Sequence, residues 1–212
     1  MTTKKSFIES RLYPIVFIII LTTVFTGMLA FFYHSTKDKV TQYNELKFQE
    51  TILRSLNINN LNNNINELFK KHINILTYKD ANDSLLYYQG IIDKKIIGYA
   101  FVIKGSGLWG SIEAVIAFDA KLKTILNLQI TNQNETPGLG ARITEDWFLK
   151  QFNNLVMFKD MQIQRISLID ENEQPKSPYE INRITGATSS TKAVVDMILK
   201  ESQNIKEKVK VK

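Results

Sequence analysis

From Leu12 to Thr36 the chain carries no Asp, Glu, Lys or Arg, and the run Ile15–Tyr33 within it is almost wholly apolar. A helix needs about 20 such residues to cross the hydrocarbon core of a bilayer. Tyr13 and the cluster Phe31-Phe32-Tyr33 stand where interfacial aromatics belong. A cleaved signal peptide is the competing reading, but its apolar core is roughly 7–15 residues long and ends at a small-x-small cleavage site. The present run is longer, and Phe31-Phe32-Tyr33-His34 offers no such site. Residues 15–33 therefore read as a retained transmembrane helix. Lys4, Lys5 and Arg11, against Glu9, flank its start, while Lys37 and Lys39 with Asp38 between them flank its end. This modest positive-inside bias puts the tail 1–14 in the cytoplasm and the rest of the chain outside the cytoplasmic membrane.

The 212 residues suit one anchor plus one domain, and what remains after the anchor is long enough to bury a core. A hydrophobic fraction of 44% and a charged fraction of 23% are ordinary for a globular protein. The formal net charge of +6 raises nucleic acid as a partner. The positives are scattered, however, or gathered in the tail Lys206, Lys208, Lys210 and Lys212, with no Arg-rich stripe interleaved with aromatics. There is no cysteine, which excludes disulfides, iron–sulfur clusters, thiolate-bound zinc, c-type haem attachment and a lipidated N-terminal cysteine. Any electron-carrying role then needs an organic cofactor or a metal held without thiolates. His34 and His72 are isolated and lack metal-ligand spacing, so no metal site is expected.

Beyond the anchor, Val40, Tyr43, Leu46, Ile52, Leu53 and Leu56 recur near helical spacing, so 37–56 reads as a helical stalk. The Asn-rich stretch Asn57–Asn66 reads as a loop or broken helix, and 67–78 as a short helix or strand. From residue 85 the pattern becomes that of strands: Leu85–Gln89 and Ile96–Lys104 around the turn Asp93-Lys94-Lys95, then Glu113–Asp119 and Lys123–Thr131. Ile143–Phe152 reads as a helix with Trp147 and Phe148 turned inward, Gln162–Ile169 as a strand and Asn172–Pro178 as a polar loop. A last helix follows Thr188 and runs to about Lys200, its apolar stripe being Ala193, Val194, Met197 and Ile198. The expected class is α+β, a mostly antiparallel sheet with packed helices behind one N-terminal transmembrane helix. The expected boundaries are a tail 1–14, the anchor 15–33, a stalk or linker 34–84 and an extracytoplasmic domain 85–212.

The segment Thr185-Gly186-Ala187-Thr188-Ser189-Ser190-Thr191-Lys192 packs a glycine, a run of hydroxyls and a cation at a helix start. Helix N-terminal N–H groups favour an anion, and glycine lets a backbone come close to one. A Walker A loop aligned on Gly186 and Lys192 would need Gly at 191 and Ser or Thr at 193, but Thr191 and Ala193 stand there, which excludes it. An ordinary N-cap is the plainer alternative. Two further turn-rich segments accompany it: Glu135-Thr136-Pro137-Gly138-Leu139-Gly140 and Gly105-Ser106-Gly107-Leu108-Trp109-Gly110. Trp109 offers a flat apolar face. Together the loops suggest a pocket for one planar, phosphorylated ligand.

Here a resemblance becomes specific. TGATSSTKAV resembles the flavinylation motif [S/T]-G-A-[S/T]-x-[S/T] of the FMN-binding domain family, and GLWG and ETPGLGAR resemble that family's other characteristic segments. The family includes the C subunit of the sodium-translocating NADH:quinone reductase (Na⁺-NQR) and the G subunit of the Rnf electron-transport complex. The resemblance covers roughly 85–200 and the anchor architecture. It implies FMN held by a phosphodiester on Ser190, the sixth motif position, with Thr191 as the second choice. Ser stands where Thr is usual, and supplies the same nucleophilic oxygen. It also implies a separate flavin transferase using FAD and Mg²⁺, and partner subunits in a membrane redox complex. Gly186, Ala187 and Thr188, after Thr185, would shape the turn, and Lys192 would add a cation. Leu108, Trp109, Glu135, Thr136, Gly138 and Leu139 would border the flavin. The implied role is that of an electron-transfer subunit of an ion-translocating complex and not a self-sufficient enzyme; no G-x-G-x-x-G follows a strand to take NADH. The alternative is an anchored extracytoplasmic flavin-binding sensory module, disfavoured by the single anchor and short inside tail.

Overall fold

The computed structural model describes residues 3–58, 64–80, 83–159 and 162–209, with the backbone alone for 3–11 and 83. The chain divides into two compact units, Met1–Glu45 and Leu46–Lys212. One helix, α1 (Thr3–Ser55), passes through both, so the segments read as anchor and helical stalk form one element. It is long and apolar enough to cross a membrane, and the side chains of its apolar run are exposed, Phe17, Ile20 and Phe31 among them.

In the second unit the end of α1 gains a buried face: Ile52 and Leu53 are wholly buried, and Leu56 nearly so. The helix stops at Asn57, whose φ of 59° is left-handed. Asn57 N–H donates to Arg54 O at 3.0 Å and Ile58 N–H to Leu53 O at 2.9 Å, the paired bonds of a Schellman C-cap. Part of the expected Asn-rich loop, 59–63, lies outside the described residues. Asn64 caps α2 (Ile65–His72), its side chain accepting the Asn66 N–H at 3.1 Å.

Five strands follow as an antiparallel meander in the order β1-β2-β3-β4-β5. They are β1 (Ile73–Asp80), β2 (Asp83–Ile92), β3 (Lys95–Ser106), β4 (Ser111–Asp119) and β5 (Ile125–Asn132). Asp93 and Lys94 join β2 to β3 with φ of 49° and 63°, the paired left-handed conformation whose twist suits a two-residue hairpin. The segment 67–78 thus holds both a helix end and a strand. β1 pairs with β2 along its whole length, so residues expected in a stalk running to 84 belong to the sheet. Helix passes to strand at His72–Ile73 with neither glycine nor proline between them, which hides the junction.

Alternation along β3 and β4 sorts the core into two layers. Phe101, Ile103, Ile112, Ile116 and Phe118 face a cluster completed by Phe148, Phe152, Val194 and Ile198. Ala100, Val115 and Ala117 face the other side, against Ile52, Leu53, Leu56, Leu68 and Phe69. The sheet is therefore covered on both faces, by the end of α1 with α2 on one and by the later helices on the other.

After β5 the structure departs from three expectations. The helix read over Ile143–Phe152 is instead a 3-10 turn, Gly140–Thr144, and a short α3 (Asp146–Lys150). Glu145 breaks them with an extended backbone (φ −71°, ψ 139°), while its carboxylate accepts from Arg142 and from the Trp147 indole. Phe148 is buried as expected and Trp147 half-buried. The strand read over Gln162–Ile169 is two short pieces. β6 (Phe158–Lys159) pairs with β7 (Gln162–Ile163), whereas β8 (Ser167–Ile169) pairs in parallel with β9 (Glu180–Asn182). Different partners force the bend between them. The last helix, α4 (Thr188–Lys208), runs past Lys200 because Ser202 and Ile205 stay buried.

Candidate functional site

The loop entering α4 determines where each hydroxyl points. Gly186 takes a φ of 76°, open to glycine at little cost. Ala187 N–H donates to Ile184 O at 3.0 Å, and Ala187 is the cap residue of α4, with no side-chain acceptor to offer. The ordinary Ser/Thr cap therefore does not describe this helix start. Thr191 is wholly buried and fastens the loop: its hydroxyl donates to Ala187 O and accepts the Ile184 N–H, both at 3.1 Å. Ser190, 2% exposed, points elsewhere, its hydroxyl donating to Glu135 Oε2 at 2.5 Å.

Glu135 is 4% exposed, and a buried carboxylate needs partners. Oε1 accepts the N–H of Leu108 at 2.8 Å and of Trp109 at 3.2 Å, while Oε2 accepts from Ser190. The turn carrying Leu108 and Trp109 is closed by Gly107 N–H donating to Gly110 O at 2.7 Å. This arrangement has room for no further carbon. A Cβ on Gly107 would sit 2.3 Å from Glu135 Oε1, and one on Gly140 would sit 2.5 Å from Ser190 Oγ and 2.7 Å from Glu135 Oε2.

These residues border a cleft of about 460 Å³ lined by Leu108, Trp109, Glu135, Thr136, Leu139, Gly140 and Gly186–Ser190. That volume is of the order of small-ligand sites. Leu108, Trp109 and Leu139 are 59%, 70% and 46% exposed, an apolar wall open to solvent. The start of α4, whose first N–H groups favour an anion, lines the same cleft. The cleft can take a flat apolar body against those apolar side chains and a phosphate at the helix start, beside the Ser190 hydroxyl.

Of the residues singled out in sequence, Leu108, Trp109, Glu135, Thr136, Leu139, Gly186, Ala187, Thr188 and Ser190 come together here. Gly138 and Thr185 do not line the cleft. Gly138 turns its loop with a φ of 74°. Thr185 N–H donates to Glu171 Oε2 at 2.7 Å, and Glu171 in turn pairs with Arg142 at 2.7 Å. Those two partners, Arg142 first and the Thr185 amide second, hold the Glu171 carboxyl down at about 2. Arg142 also bonds Glu145 at 3.2 Å, so this network ties the Thr185 loop to the 3-10 turn. Lys192 lines a larger neighbouring cleft, about 630 Å³, with Lys104, Ser189 and Lys200; Ser190 and Glu135 do not border it. Thr191 borders neither cleft. Two residues given no role from sequence, Gly140 and Ser189, line the smaller one. Ser189 lay within the hydroxyl run; the need for glycine at 140 shows only once Ser190 and Glu135 are seen against it. Among the described residues no cluster of His, Asp and Glu could hold a metal, and His72 Nδ1 lies 2.9 Å from Ile91 O.

Residues 107–200 match the FMN-binding domain family. The G subunit of an ion-translocating oxidoreductase complex from Methanosarcina acetivorans is 32% identical over 120 residues, 56% of this chain and 57% of that protein. The corresponding G subunit from Buchnera aphidicola subsp. Baizongia pistaciae is 30% identical over 180 residues, 81% of this chain and 77% of that protein. The chain thus spans between just over half and three quarters of these relatives. In fold, the crystal structure of NqrC from Shewanella oneidensis superposes with a TM-score of 0.66 at 18% identity, covering 72% of this chain and 89% of that one.

Proposed function

The chain belongs to the FMN-binding domain family, and from that premise we propose that it is an electron-transfer subunit of an ion-translocating oxidoreductase complex of Rnf or Na⁺-NQR type, with FMN joined through a phosphodiester to Ser190. The alignment running through 81% of the chain is to a G subunit, which favours the Rnf type. The observation that carries the reading is the convergence of three distant segments on one hydroxyl. Glu135 binds the Leu108–Trp109 turn with one oxygen and Ser190 with the other, at the start of α4.

The residues present suit the group. The phosphate would lie at the N–H groups opening α4, and the ring system against Leu108, Trp109 and Leu139, with Thr136 and Thr188 within the same cleft. FMN, when bound, supplies the redox chemistry, while the chain supplies position and electrostatics. A covalent tether keeps the cofactor where no flavin pool would replace it. Maturation would require a flavin transferase using FAD and Mg²⁺. In the membrane, 15–33 would span the bilayer, with 1–14 in the cytoplasm and the domain outside.

Intact mass of the denatured, membrane-extracted chain tests the attachment, since FMN less water adds roughly 440 Da and survives denaturation. The expected result is an adduct present in the native sequence and in Thr191→Ala, and lost in Ser190→Ala. Retention in Ser190→Ala refutes the site; its absence throughout, from cells with an active transferase, refutes the covalent link. Because the chain has no cysteine, Ser6→Cys and Lys121→Cys each create a unique thiol. An impermeant maleimide should label only Lys121→Cys in intact cells, and the reverse pattern would overturn the orientation.

A further inference from the structure

We propose that Glu135 is a catalytic residue in the flavinylation of its own chain, taking the Ser190 proton as the phosphodiester forms. This rests on Ser190 being the attachment site. A serine hydroxyl is a weak nucleophile until a base removes its proton. In the step, Ser190 Oγ attacks the flavin-side phosphorus of a flavin adenine dinucleotide presented by the transferase. The Oγ–P bond forms and the P–O bond to the adenylate half breaks. Adenosine monophosphate leaves with the electron pair, and the hydroxyl proton passes to Glu135 Oε2. Nothing is oxidised or reduced.

The geometry assigns the two carboxylate oxygens separate tasks. Oε1 is occupied by the Leu108 and Trp109 N–H groups, which hold the carboxylate plane. Oε2 is left to the Ser190 hydroxyl, which is the donor in a 2.5 Å bond. A base oriented by a third group against its nucleophile is the general arrangement of activated hydroxyls. Ser190 and Glu135 border the cleft, and the near-complete burial of both limits competition by water for the proton. Gly107 and Gly140 leave the pair the room that a side chain would take, since a Cβ there would lie 2.3 Å from Glu135 Oε1 and 2.5 Å from Ser190 Oγ respectively. Other charged groups on the elements packed here are engaged elsewhere or outward-facing. Arg142 pairs with Glu145 and Glu171, and Lys104 with Glu113. Lys192 and Asp196 of α4 line the neighbouring cleft.

The test uses full-length chain purified in detergent from cells lacking the transferase, mixed with purified flavin transferase, FAD and Mg²⁺. Adduct formation is followed by intact mass over time. Glu135→Gln keeps the size and an oxygen for the two backbone N–H groups, yet cannot take a proton. Its initial rate should fall by roughly 10²–10⁴-fold, the usual contribution of a positioned base. Its residual rate should climb with pH between about 7 and 9, more steeply than the native rate, as hydroxide substitutes for the missing base. A merely structural Glu135 would not produce that slope. Melting temperature shows whether the variant is folded; should it not be, Glu135→Asp, which withdraws the carboxylate by one methylene, should be folded and slowed. A folded Glu135→Gln or Glu135→Asp labelled at the native rate overturns the proposal while leaving Ser190 in place. Native chain without adduct, or an adduct kept in Ser190→Ala, overturns the attachment site and the proposal with it.

Discussion

Replacing Gly140 with alanine is the sharpest probe of the site, because it adds a single methyl group at a place where the structure has none to spare. The new Cβ would lie 2.5 Å from Ser190 Oγ, 2.7 Å from Glu135 Oε2 and 2.9 Å from Glu135 Cβ. Carbon does not approach oxygen or carbon that closely, so Ser190 or Glu135 must retreat by about half an ångström or more. Overpacking of this kind costs about 1–3 kcal/mol. Loosening the Ser190–Glu135 bond adds part of the ~1–3 kcal/mol that a poorly satisfied buried polar group costs. The two overlap, so about 2–4 kcal/mol is the reasonable sum. For a unit the size of Leu46–Lys212, each kcal/mol lowers the melting temperature by about 2–4 °C. The expected drop is then roughly 4–16 °C, read by tryptophan fluorescence of the full-length chain, together with slower flavin incorporation. Gly138→Ala is the control. No atom lies within 4 Å of its added Cβ, but its φ of 74° strains any L side chain by about 1–2 kcal/mol. It should destabilise the fold while labelling normally. A Gly140→Ala protein that melts and labels like the native chain would refute the packing described for Ser190 and Glu135.

Acid should loosen the loop before α4. Glu171 sits at about 2 in the folded chain against an ordinary 4.5, so it binds fewer protons folded than unfolded. Its contribution is complete above about 4.5 and fades as pH falls toward 2. Glu171→Gln should be less stable near neutrality and should lose that part of the acid dependence; parallel melting curves across this range would contradict the Arg142–Glu171–Thr185 network. Thr191→Ala orphans the Ile184 N–H inside the core and should cost about 1–3 kcal/mol in denaturant titration, with the mass adduct kept. Trp109→Ala removes a ring that is 70% exposed and should leave melting within a degree or two while shifting the absorbance or fluorescence of the bound flavin; an unshifted spectrum would separate Trp109 from the cofactor.

Local chemistry decided which parts were legible in the sequence. The anchor, the hairpin at Asp93-Lys94 and the alternating strands β3 and β4 announce themselves because a single periodicity or turn rule governs each. Residues 65–80 do not. Their helix and strand abut without a breaker, and Leu68, Phe69 and Ile73 are buried with the end of α1 and with Tyr88, Ala100 and Val115, the last three remote in sequence. The helix read over 143–152 fails for a related reason: its pattern is helical, but the Glu145 carboxylate finds better partners in Arg142 and Trp147 when the backbone opens there. At the site, residue types and loop identities could be read, and the resemblance ranked Ser190 before Thr191 by motif position, but the residues by themselves did not show which neighbour each hydroxyl engages. Both are hydroxyls at a helix start, and only the Glu135 carboxylate on one side and the Ile184 amide on the other tell them apart.

That distinction bears on why the three segments must occur together. A carboxylate buried at Glu135 is costly unless its lone pairs are met. No single segment meets them: the Leu108–Trp109 turn supplies two N–H groups and α4 supplies one O–H. The turn belongs to the β3–β4 connection, and α4 packs against β3, so closing the sheet and docking the helix complete the same carboxylate. The position of Ser190 is thereby fixed by the sheet as well as by its own helix. If flavin attaches at Ser190 as proposed, a change in the Gly107–Gly110 turn should therefore slow its attachment without touching that hydroxyl. Gly107→Ala, whose Cβ would meet Glu135 Oε1 at 2.3 Å and Gly110 O and Ile112 Cδ1 at 3.0 Å, should reach Ser190 by displacing Glu135 and the turn that holds it.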